Sequence, residues 1–224
     1  STVLINDGTG HFEDQASERG LYYRETHSSP SLFDADNDGD LDLFITAVYA
    51  SRDSDFYLND GTGHFSLDNY ESGLVQRNGW GAATADVDND GDLDLISYNL
   101  FRNEAESGHW LQIRLFGGVA GGPADNWGEW RGGANVSAIG TIVEIDTADG
   151  SQLRHVSGGS GTGVQDSLRL HFGLNDTTEI EELRVFFPGG TTITLNDIEA
   201  DQQLWIHEDG TMATGLDFPG EMIP

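Results

Sequence analysis

The chain has 224 residues and a formal net charge of −29: ten basic residues, all arginine, stand against 39 aspartates and glutamates, and neither lysine nor cysteine occurs. So acidic a surface excludes nucleic acid as a partner, because phosphate contacts need clustered basic side chains, and without cysteine no disulfide can supply rigidity. The acidity is spread along the chain, with five arginines against 21 acids up to residue 105 and five against 18 beyond it, which fits salty, calcium-rich water where screening shortens the reach of self-repulsion.

In chain order, the first signal is LINDGTGHF at residues 4–12, which returns as YLNDGTGHF at residues 57–65. Asn-Asp-Gly between apolar runs marks a hairpin, since these residues tolerate positive φ. Gly20-Leu21 likewise returns as Gly73-Leu74, so the period is 53 residues. A period near fifty made of short strands and turns predicts propeller blades of about four strands. His11 and His64 follow the two turns at equivalent places and are read as structural, with no chemistry assigned.

Between and after these hairpins lie two acidic nonapeptides, DADNDGDLD at residues 34–42 and DVDNDGDLD at residues 86–94. Each sets an aspartate at positions 1, 3, 5, 7 and 9 and a glycine at 6, so that oxygens converge on one hard cation while the glycine lets the backbone bend. Five like charges in nine residues repel one another unless a cation relieves them. Oxygen-only ligands favour calcium over zinc or copper. An EF-hand is excluded, because position 12 falls on Ile45 and Ser97 instead of glutamate. The expected side-chain ligands are Asp34, Asp36, Asp38 and Asp42 in the first loop and Asp86, Asp88, Asp90 and Asp94 in the second, with Asp40 and Asp92 giving carbonyl oxygens. Two Ca2+ sites are expected.

The loops, the strands LDLF and LDLI that follow them and the NDGTG turns together resemble the FG-GAP or VCBS repeat, over about residues 1–104. The resemblance implies calcium in the loop joining neighbouring strands of a blade, where it stiffens the blade and does not catalyse. A closed propeller needs four to eight blades, and the chain opens inside a unit. Earlier blades of the same protein are therefore expected as partners.

From residue 106 the aspartate loops give way to seven predicted strands, HWLQIRLF, GTIVEID, SQLRHVS, LRLHF, IEELRVFF, TTITL and QLWIHE, in the manner of a sandwich. The blocks HWLQIRL, VSGGSG, LRLHFGL and VFFPGGTTITL resemble the ASPIC and UnbV domain, and that family carries over no catalytic residue. Residues 119–140 form a longer connection than the resemblance leads one to expect. In it, Trp127, Trp130 and Arg131 make a candidate stacking surface for a sugar ring or a protein, against the plainer reading of a lid on the sandwich. SGGSG at residues 157–161 lacks the lysine of a phosphate loop and reads as a tight turn. His155, His171 and His207 fall on predicted strands without an evident acid partner.

The expected architecture is therefore all-β: a partial β-propeller of about two blades (residues 1–105), a β-sandwich-like domain (106–208) and a tail or linker (209–224). The expected function is that of a secreted, extracellular calcium-binding module for cell adhesion or recognition, non-enzymatic and not inserted in a membrane, with an extracellular protein or glycan as ligand. The alternatives are a calcium-dependent enzyme acting on polysaccharide or a glycan-binding module using residues 119–140, and a piece that only supports a larger assembly.

Overall fold

The computed structural model describes residues 2–22, 27–105, 108–118, 133–161 and 163–215. Among them are seventeen strands and no helix. Strands β1 (Leu4–Asn6) and β2 (Phe12–Asp14) pair as a hairpin across NDGTG. The turn folds on its own side chains: Asn6 Oδ1 accepts from the N–H of Gly8 at 2.9 Å, and Asp7 Oδ1 from that of Thr9 at 2.8 Å. Asn6 Oδ1 also accepts from Gly10 N–H at 3.2 Å, and in the second turn Asn59 and Asp60 accept likewise from Gly63 and Thr62, both at 3.0 Å.

Strands β3 (His27–Phe33), β4 (Asp42–Ala47), β5 (Asp55–Asn59) and β6 (Phe65–Leu67) form an antiparallel sheet in sequence order, and β7 (Ala83–Ala85), β8 (Asp94–Ile96) and β9 (Leu100–Phe101) form another. β4 is buried throughout because both of its faces are covered. Side chains alternate along a strand, so Leu43 and Ile45 join Ala16, Leu21 and Tyr57 beside the first hairpin, while Phe44 joins Phe33, Phe56 and Leu95 beside the next sheet. Small sheets thus stack face on face in chain order, as propeller blades do.

The third sheet stops at three strands for a reason visible in the sequence. Asn103 N–H donates to Asp94 Oδ1 at 2.9 Å, as Asn59 N–H does to Asp42 Oδ1 at 2.9 Å. After Asn59 comes the outer strand of the blade; after Asn103 the sequence reads EAESGHW, and Trp110 lies in β10 (His109–Phe116), a strand of the second domain.

That domain is a sandwich of two four-stranded sheets. One has the order β13 (Arg169–Asn175), β10, β16 (Gln202–His207), β17 (Met212–Thr214); the other has the order β12 (Gly150–His155), β11 (Ile142–Thr147), β14 (Glu179–Phe186), β15 (Thr192–Glu199). β10 runs parallel to β16 and antiparallel to β13. Between the sheets, Leu111, Ile113 and Leu115 of β10 meet Val143, Ile145, Leu183 and Val185, all fully buried, each worth about 1.5–3 kcal/mol of transfer free energy. The alternation turns Gln112 to the other face, in register with His171 and Gln203. All three are buried although polar, because the acidic loops between the blade strands cover that face.

The expected tail needs correcting at its start. Residues 212–214 form β17 on the edge of the first sheet, and the Trp205 indole N–H reaches the Gly215 carbonyl at 2.7 Å. A three-residue strand has too few alternations to show in a sequence. Residues 216–224 lie outside the described residues.

Candidate metal centre

The two acidic loops have the same backbone. Asn37 and Asn89, at position 4, take φ of 57° and 60°, and Gly39 and Gly91, at position 6, take 99° and 103°, a region that asparagine tolerates and glycine favours. Position 9 closes each loop: Asp42 accepts the N–H of Ala35 at 2.8 Å on one oxygen and that of Asn59 at 2.9 Å on the other. Asp94 does the same with Val87 (2.8 Å) and Asn103 (2.9 Å). Position 1 reaches across to position 6, Asp34 to Gly39 N–H at 3.1 Å and Asp86 to Gly91 N–H at 3.2 Å.

Asp34, Asp36 and Asp42 bring one carboxylate oxygen each within 4.8 Å of one another, and so do Asp86, Asp88 and Asp94. Either cluster can hold a metal ion. Asp38, Asp40, Asp90 and Asp92 stand outside these groups of three. Asp38 and Asp90 accept the N–H of Asp40 and Asp92, at 3.0 and 3.1 Å. Asp92 Oδ1 accepts the Asn37 amide at 2.7 Å and so ties the two loops together.

The first loop fits a cation closely in its chemistry. Asp34 Oδ1, Asp36 Oδ1 and Asp40 Oδ1 are buried with no hydrogen-bond partner. Unpaired buried carboxylate oxygens cost several kcal/mol on the order of the desolvation they suffer, and a hard divalent cation with oxygen ligands relieves that cost. Burial pushes Asp34 and Asp42 up to about 7, with the neighbouring aspartates adding to the rise, and Arg154 opposes it at Asp34. Burial, followed by the charges of Asp38 and Asp36, raises Asp40 to about 6. In the second loop burial raises Asp92 to about 6. There Arg102 forms an ion pair with Asp88, at the place where the first repeat has Leu58 beside Asn59.

Both loops are also bound to the sandwich. Asp34 Oδ2 accepts Gly173 N–H of β13 at 3.0 Å, and Asn37 O accepts Asn175 N–H at 2.7 Å. Gly173 has no space for a side chain, because a Cβ there would run into Asp34 Oδ2. Asp86 Oδ2 accepts the Gln112 amide at 2.8 Å, Gln112 Oε1 accepts in turn from Arg169 at 3.1 Å, and the same guanidinium donates to Gln203 Oε1 at 2.6 Å. His171 Nε2 meets Gly91 O at 2.9 Å, and Trp110 packs on Gly91. Burial pushes His171 down to about 4, so the ring is neutral and Nε2 carries the proton donated to the carbonyl. These outer partners of the loops, Gly173, Gln112 and His171, were invisible in the sequence motif, since up to 139 residues separate them from the aspartates they serve.

Trp127, Trp130 and Arg131 lie outside the described residues. His207, the third strand histidine, pairs with Asp209 at 2.9 Å beside the sandwich edge. Among the described residues no helix is long and apolar enough to cross a membrane.

Residues 34–97, which span both loops, match the FG-GAP-like repeat, a repeat typical of extracellular and surface proteins. Residues 131–213 match the ASPIC and UnbV domain; β10 precedes that match but supplies a central strand of its sandwich. No curated protein matches the chain. Along the chain, a match to the FG-GAP-like repeat is thus followed by a match to the ASPIC and UnbV domain.

Proposed function

We propose that the chain is an extracellular calcium-binding module for adhesion or recognition, non-catalytic, with one structural calcium ion in each acidic loop. The observation that carries this reading is the set of unpartnered, buried oxygens on Asp34, Asp36 and Asp40, in a loop whose other hydrogen bonds are already made. Such a set stores a cost that calcium removes, and millimolar calcium outside cells keeps the sites filled. The ions then act on two levels. They quench repulsion within each blade, and they hold Asp34 and Asp86 in the orientation that accepts Gly173 and Gln112 of the sandwich. The surface so fixed is the one offered to an extracellular protein or glycan.

Calcium at about a thousand times its dissociation constant adds about 4 kcal/mol per site to stability by mass action. Thermal unfolding followed by circular dichroism should therefore shift down by on the order of 10 °C when millimolar calcium is replaced by excess chelator. Identical melting curves in the two conditions would sink the structural-ion reading.

A further inference from the structure

Arg154 of β12 and Arg169 of β13 stand on opposite sheets of the sandwich and reach toward the blades, one to each acidic loop. Arg154 Nη2 donates to the carbonyl of Gly39, position 6 of the first loop, at 3.4 Å, and to Gln152 Oε1 at 3.1 Å. The Gln152 amide donates to the Gly173 carbonyl at 2.7 Å, on the residue whose N–H reaches Asp34, and the Phe172 ring lies 5.4 Å from the guanidinium carbon. Arg169 Nη1 donates to Asn89 Oδ1, position 4 of the second loop, and to Gln112 Oε1, both at 3.1 Å, and Gln112 holds Asp86. Both arginines are half-buried.

Each guanidinium thus meets its loop at an uncharged oxygen, and the carboxylates act on it through space: Asp34 and Asp40 on Arg154, Asp86 on Arg169. A guanidinium keeps its proton at any ordinary pH. Before an ion binds, it offsets part of the loop's negative charge. When a divalent cation enters among Asp34, Asp36 and Asp42, or among Asp86, Asp88 and Asp94, the same fixed charge opposes it. Half-buried charges are screened less than exposed ones. Neither arginine can retreat as a free surface side chain would, because Gln152 and Phe172 hold the first and Gln112 and Gln203 the second.

We propose that the sandwich sets the calcium affinity of each loop through one arginine, Arg154 for the first and Arg169 for the second, each weakening its site by a fixed opposing charge. The inference rests on the calcium reading and adds to it a control that comes from the other domain: the affinity of each loop depends on the sandwich being seated against it. The motif itself cannot show this, since 115 and 80 residues separate the paired atoms.

The test is calorimetry on the chelator-stripped chain at about pH 8.5, where the carboxylates are ionised, with Asp88→Ala isolating the first loop and Asp36→Ala the second. Arg154→Met should tighten calcium at the first loop by about fivefold or more and leave the second within about twofold, and Arg169→Met should do the converse. Lysine in either place keeps the charge and should hold the affinity near that of the unmutated chain. Repulsion grows with the charge of the ion, so trivalent lanthanum should gain more than calcium from each methionine variant, whereas a role in packing alone would move both ions alike. The Arg169 variants decide the question if Arg154→Met does not fold. Methionine variants that bind calcium no more tightly, or lysine variants that tighten it as much as methionine does, would overturn the inference while two ions are still counted. An unmutated chain that takes up no calcium would overturn the calcium reading along with it.

Discussion

The two acidic loops share a backbone but not a setting. The first is the more deeply covered: Asp34 and Asp42 are each 1% exposed, three of its carboxylate oxygens lack partners, and Leu58 stands where the second has Arg102, so that its compensating charge comes from Arg154 of the sandwich, acting on Asp34 and Asp40. The second has brought its own cation, since Arg102 pairs with Asp88, and both side chains remain partly exposed. Identical motifs thus differ in how much of their charge is left for an ion to neutralise. The nonapeptide sets the geometry of the carboxylates, and its surroundings set how much of their charge is compensated.

Substituting position 3 should break this symmetry most plainly. Asp36→Ala is expected to remove one ion in calorimetry and to lower the melting temperature in calcium by about 5–10 °C, and Asp88→Ala by about half as much. Equal losses would mean that burial does not rank the loops. Next in size is the effect of pH on the calcium-free chain. Asp34 and Asp42 hold their protons up to about 7 when folded, against 3.8 ordinarily, so between those values the folded state binds more protons than the unfolded state and stability falls as pH rises. In chelator the chain should melt several degrees higher at about pH 5 than at about pH 7.5, and saturating calcium should reverse the order; a flat profile in chelator would count against buried, proton-holding carboxyls in the first loop.

Arg102→Leu copies the first repeat into the second. It should tighten calcium at the second loop by about threefold to tenfold, the worth of an exposed ion pair, and leave the first loop alone. Unchanged affinity would show that Asp88 turns to the ion at no cost. Smallest of all should be Gln112→Leu, which removes the amide donor to Asp86 and weakens the second site by about twofold to fivefold. If both sites weakened together, the link from Asn37 to Asp92 would carry more coupling than the sandwich contact does.

What could be read in advance was local. The NDGTG turns, the loop spacing and the seven strands of the sandwich are patterns of nearby residues, and the structure places them where the pattern says. Gln112 and Gln203 show where this stops. On an alternating strand they read as the wet face of the sheet, yet the blade loops make that face an interior. The partners of Asp34 and Asp86 were hidden for the same reason, because contacts across the joint are made by residues with no periodic relation to the motif. β17 escaped notice through its shortness.

The passage from Asn103 to β10 gives the molecule a mechanical character. The N–H of Asn103 is held by Asp94, a member of the second acidic cluster. Tension along this connection would pull on that carboxylate, and an ion held there would act as a clamp whose grip is set by the surrounding calcium. Resistance to stretching would then vary with ion concentration.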